Sequence, residues 1–98
     1  MSSFDTVCAM IDDVRQHNRK HKRKGFYALD ATPQMAVAHL MEEVAEFAAD
    51  VANGNDPTTE LADVLAVLLH AIRVCGSHDD IIISTAMGKL QEVFYDSE

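Results

Sequence analysis

Residues 39–50, HLMEEVAEFAAD, and 58–69, TTELADVLAVLL, decide how this chain folds. Each sets two acidic residues three positions apart inside an apolar run: Glu43 and Glu46 in the first, Glu60 and Asp63 in the second. A helix brings residues i and i+3 onto one face, so each stretch presents two carboxylates side by side. Asp63 is the most informative of them. Leu61 and Ala62 precede it, and Val64, Leu65 and Ala66 follow. A carboxylate in such a run stays charged only if a cation or strong donors replace its lost hydration.

Outward from these stretches, the chain reads as helices joined by short connections. Thr32 as N-cap and Pro33 at the first helical position open the helix that carries Glu43 and Glu46. Its apolar stripe is Val37, Leu40, Val44, Phe47 and Val51, and Asn53-Gly54 ends it. Asp56 and Pro57 repeat the cap-then-proline signal for the helix of Glu60 and Asp63, which runs to about Val74 and stops at Gly76. That helix is apolar on almost every side and is expected to be the central one, covered by its neighbours or by another subunit. Before them, Phe4, Val7, Cys8, Ile11 and Val14 recur at helical spacing and predict a helix over 4–19. Its basic end, HNRKHKRKG, breaks at Gly25, and residues 26–31 read as a loop. In the last segment, Ile81-Ile82-Ile83 is β-branched enough for a strand. A helix fits better, because Ser77 and Asp80 form a capping box and Ile83, Met87, Leu90 and Phe94 continue at helical spacing. The expectation is an all-α, four-helix bundle over a single domain, residues 1–98.

A chain of 98 residues supports a modest core, and association would help to cover its apolar surface. The net charge of −8 and pI near 4.9 argue against nucleic acid or an anionic membrane as general partners. Six of the eight Lys and Arg residues nevertheless lie between Arg15 and Lys24. No signal peptide is evident at the N-terminus, and the longest apolar run, Val64 to Leu69, is too short to span a bilayer. Cys8 and Cys75 lack CxxC spacing, so buried free thiols in a cytoplasmic protein are expected.

On a helical wheel Glu43 and Glu46 share a stripe with His39 and Asp50, while Glu60 and Asp63 share one with Val67 and Val74. An antiparallel hairpin through Asn53-Gly54-Asn55 makes the two acidic pairs converge. Four negative charges at reduced dielectric call for an oxygen-preferring divalent ion, Mg²⁺ or Mn²⁺. A lone ExxE is usually a solvated helix face, but two such pairs on consecutive helices, one in an apolar run, favour a metal site. Glu42 lies about 100° off the stripe and reads as an outer carboxylate. Glu43 or Glu46 is the candidate to take a proton from water activated at the metal. His39 is a candidate to assist from the same face, although a structural role is the plainer one without HExxH spacing. His70 reads as a hydrogen-bonded core residue. The cluster Arg15, Arg19, Lys20, Lys22, Arg23 and Lys24 suits phosphate oxygens, with Lys22 and Lys24 taken as substrate-binding candidates, and suits a solvated helix end equally well. A ferritin-like di-metal bundle needs Glu-x-x-His pairs, and position i+3 from Glu42, Glu43, Glu46 and Glu60 holds Ala45, Glu46, Ala49 and Asp63.

EEVAE, then thirteen residues, then ELAD, resembles the EExxE…ExxD signature of the MazG-like nucleoside triphosphate pyrophosphohydrolases. The resemblance covers roughly Ala31 to Lys89. It implies a MazG-like helical bundle assembled as a dimer or dimer of dimers, that is, a homodimer or homotetramer. It further implies Mg²⁺ bound by Glu43, Glu46, Glu60 and Asp63, and cleavage of a (d)NTP to monophosphate and pyrophosphate, a house-cleaning activity on the nucleotide pool. Lys89 resembles the family's phosphate-holding lysine in the last helix. Two departures stand out: Val93 and Phe94 replace the Asn and basic residue that many relatives carry after that lysine, and Met35 stands where some have Asn. A non-catalytic interaction or regulatory module that retains the acids is the alternative.

Overall fold

Four helices follow one another among the residues that the computed structural model describes, 3–21, 27 and 31–96: α1 (Ser3–Lys20), α2 (Pro33–Ala52), α3 (Thr58–Val74) and α4 (Asp79–Asp96). The all-α expectation holds, and each helix ends where the local chemistry dictates. Thr32 is extended, at φ −89° and ψ 160°, and its hydroxyl accepts the Met35 N–H at 3.2 Å, with Pro33 opening α2. Asp56 Oδ1 accepts both the Thr58 N–H at 3.1 Å and the Thr58 hydroxyl at 2.7 Å, which fixes the entry to α3.

The exits of α2 and α3 share one solution. Gly54 has φ 71°, its N–H reaches the Val51 carbonyl at 3.2 Å, and the Asn55 N–H reaches Asp50 at 2.9 Å. Gly76 has φ 74°, its N–H reaches Arg73 at 3.0 Å, and the Ser77 N–H reaches Ile72 at 3.0 Å. A left-handed glycine with paired reverse hydrogen bonds satisfies the last carbonyls of each helix. The second exit displaces the expected Ser77–Asp80 capping box. With the Ser77 N–H already bonded to Ile72, α4 starts later, and its first turn runs from the Ile82 N–H to the His78 carbonyl at 3.1 Å.

Helix α3 is central, as its composition demands. It folds back along α2, packs on α1, and supplies Val67, Leu69, His70 and Ile72 to the buried set. Ile11 from α1 joins Leu69 and Ile72 in a core flanked by Phe4, Val7, Cys8, Tyr27 and Ala66. Arg73 ties three helices together. Its guanidinium pairs with Asp12 of α1 and with Asp79 of α4 at 2.9 Å, and also donates to the Leu69 and Cys8 carbonyls. Burial works against that charge, but the two carboxylates outweigh it and raise the Arg73 pKa.

Two expectations need correction. The Val37/Val44/Val51 stripe of α2 is exposed, and α2 instead turns Ala36 and His39 inward, because the hairpin is built on the face that carries the acids. Neither cysteine is buried: both are free thiols, but Cys75 is exposed at the α3 cap and Cys8 is half-buried. The four helices are consistent with the expected bundle; α4 leaves α3 at a bend of 114° and keeps Ile81, Met87, Leu90 and Phe94 exposed. Among the described residues no single helix is long and apolar enough to cross a membrane.

Candidate metal centre

The glycine turn sets the register of α3 against α2, and that register places Asp63 opposite Glu43 and Glu46. One carboxylate oxygen from each of the three lies within 4.8 Å of the others. Crowding of like charge has a cost that shows on Glu46: the charge of Glu43, followed by lost hydration, lifts its pKa above the usual carboxylate range.

Glu43 is the most enclosed of the three acids, with its side chain 15% exposed. Its Oε1 stands 3.5 Å from Nε2 of His39, one turn earlier on α2. Its Oε2 is buried and has no hydrogen-bond donor, and the neighbouring Glu46 carboxyl can donate only when protonated. His39 is itself buried, and burial lowers its pKa despite the opposing charges of Glu42, Asp63 and Glu46. The Tyr27 ring meets His39 edge-on at 5.5 Å between centroids and lies 5.2 Å from His70, which is fully buried. Burial, then the charges of Asp63 and Glu43, pushes the Tyr27 phenol up.

Glu60 sits apart from this trio. It faces Asp50, and the hydrogen bond with that carboxyl, followed by lost hydration and the Asp50 charge, raises the Glu60 pKa. Lys89 is exposed on α4, which has no extensive packing against α2, so within one chain it is not brought to the acids. Lys22, Arg23 and Lys24 lie outside the described residues, while Arg19 and Lys20 are exposed at the end of α1. Sequence reasoning offered Tyr27 only as one of several aromatic pocket candidates, with Phe4, Phe26, Phe47 and Phe94, and did not place it beside His39, because the connection that carries it has no hydrophobic period; nor did it link Asp50 to Glu60, although both were placed on the facing stripes.

No curated relative and no solved structure matches the chain. The sequence profile of the MazG nucleotide pyrophosphohydrolase domain matches residues 31–93, which include all of α2 and α3, most of α4, and every acid of the two motifs. With well over half its length in that match, and a helical hairpin that brings the motif acids Glu43, Glu46 and Asp63 together, the chain belongs to the MazG nucleotide pyrophosphohydrolase family.

Proposed function

We propose that the protein is a Mg²⁺- or Mn²⁺-dependent hydrolase that cleaves a (d)NTP between its α- and β-phosphates, giving the monophosphate and pyrophosphate. The observation that carries this reading is the carboxylate trio of Glu43, Glu46 and Asp63 within 4.8 Å. The residues fit such an ion: all donors are carboxylate oxygens, as a hard divalent cation prefers, and the buried Oε2 of Glu43 has no donor of its own. Glu43, Glu46 and Asp63 would hold the cation, with Glu60 as the fourth proposed ligand. Once bound, the ion supplies charge neutralisation for phosphate oxygens and acidifies water. Glu46 is the more exposed of the two α2 acids, while Glu43 is engaged by His39. Glu46 is therefore the carboxylate left to take a proton from the attacking water. Lys89, Lys22 and Lys24 are proposed to neutralise phosphate charge, Lys89 from a second copy of the chain. Assembly as a homodimer or homotetramer follows from the apolar surface left open on α2 and α4. Nucleic acid and membrane are not expected partners, and the cytoplasm is the proposed location.

The deciding experiment is hydrolysis across a full panel of (d)NTPs with Mg²⁺ or Mn²⁺, with the products identified. Monophosphate and pyrophosphate are expected. Orthophosphate with diphosphate, or no turnover on any nucleotide, overturns the assignment, and the latter result leaves a non-catalytic helical module.

A further inference from the structure

We infer that His39 is a positioning residue for the metal centre: its imidazole holds Oε1 of Glu43 and so presents Oε2 to the cation. The inference rests on the metal reading above, and the geometry behind it is independent of any nucleotide. His39 is 4% exposed, and its Nε2 lies 3.5 Å from Glu43 Oε1 at i+4 on the same helix. The two oxygens of Glu43 are thus differentiated. One faces an imidazole nitrogen, whereas the other is buried without a donor, in a carboxyl group that belongs to the trio with Glu46 and Asp63.

The ring has little freedom to turn away. Tyr27 packs edge-on against it at 5.5 Å and also lies 5.2 Å from His70, which is 0% exposed in the central helix. Tyr27 thus joins His39 of α2 and His70 of α3 by ring contacts. A ligating carboxylate oriented by a fixed hydrogen-bonding group loses less freedom when it captures a cation, and removal of such an outer partner typically weakens metal binding about 10- to 100-fold. His39 therefore acts through Glu43, behind the carboxylates and out of contact with substrate.

The test is Mn²⁺ affinity of the full chain, measured by the electron paramagnetic resonance signal of the free ion, with folding followed by circular dichroism. Wild type should bind Mn²⁺ and Asp63→Asn should lose that binding. His39→Leu should bind about tenfold more weakly. His39→Gln, whose amide reaches the Nε2 position, should return to within about threefold of wild type, whereas the shorter His39→Asn should stay weak. If wild type shows no Mn²⁺ binding that Asp63→Asn removes, the metal reading falls and this inference with it. If that control behaves and His39→Leu binds like wild type, only the positioning role is overturned. Should His39→Leu fail to fold, equal affinities for the Gln and Asn variants overturn it instead.

Discussion

Asp63 extends its charge toward Glu43 and Glu46 across the hairpin, so metal-free protein carries their mutual repulsion. Asp63→Asn relieves part of that repulsion while removing a ligand. The variant should unfold no earlier than wild type in EDTA, lose most of the Mg²⁺-dependent rise in melting temperature, and lose hydrolysis. At a hundredfold excess over its dissociation constant, a ligand of the folded state alone stabilises by about 2.7 kcal/mol, so the lost rise is measurable by calorimetry. Asp56 offers a pH-dependent test away from the metal. The hydroxyl and N–H of Thr58 bind its carboxylate and hold its pKa below the usual value. A depressed folded pKa means that the contribution is present above the unfolded value near 3.9 and fades as pH falls through the folded one. Asp56→Ala should lower the melting temperature at neutral pH and differ less from wild type in strong acid, which thermal scans from pH 7 to pH 2 would show. The i,i+3 spacing of acids was enough to name Glu43, Glu46 and Asp63, because spacing fixes a shared helix face. It does not fix rotamers, so the turn of Glu60 toward Asp50 was not legible. Nor was the depth of His39, which depends on a ring delivered by an aperiodic loop.

At the scale of elements, the caps were the most legible part of the chain, since Thr32, Asp56, Gly54 and Gly76 act through local chemistry that needs no distant partner. Gly54 has open space where a Cβ would stand, so an alanine there meets no neighbour and feels only its φ of +71°. Gly54→Ala should therefore cost about 1 kcal/mol, and Gly54→Asn less, because asparagine tolerates the left-handed region. Urea titration would separate the two, and equal losses would show that the turn tolerates a different backbone. The start of α4 was misread by sequence because the exit of α3, a few residues earlier, competes for the same groups. The Ser77 N–H was taken by the α3 exit, and Asp79 by Arg73. That ion pair is testable against its neighbour on the same guanidinium. The Asp79 side chain is 18% exposed and that of Asp12 56%, so solvent screens the second pair far more. Asp79→Ala should cost about 2 kcal/mol and Asp12→Ala under about 1 kcal/mol in chemical denaturation. A reversal of that order would mean that Arg73 is held by α1 and not by α4.

Across the whole molecule, the hydrophobic surface is unevenly covered. The core of Ile11, Leu69 and Ile72 occupies one side of α3, while Leu61, Leu65 and Leu68 of the same helix remain 40–47% exposed. On α4, Leu90 is 67% exposed and Val93 and Phe94 are each 62% exposed, and the 114° bend carries them away from the hairpin. A helix whose apolar residues are largely exposed among the described residues gains little from folding alone, since most helical stability in proteins comes from a buried face. The sequence signalled this through the all-round hydrophobicity of α3, but only the geometry shows that among the described residues the apolar side chains of α4 are largely exposed. Sedimentation equilibrium at micromolar concentration should give a dimer or tetramer. Leu90→Asp with Phe94→Asp should shift the population to monomer and lower the melting temperature, in place of the small effect expected for exposed positions. The dependence of melting temperature on protein concentration should vanish in the same double variant. If wild type instead sediments as a monomer with a concentration-independent transition, these side chains face solvent in the functional protein. A Lys89 contribution from a second copy would then be excluded with the assembly that was to deliver it.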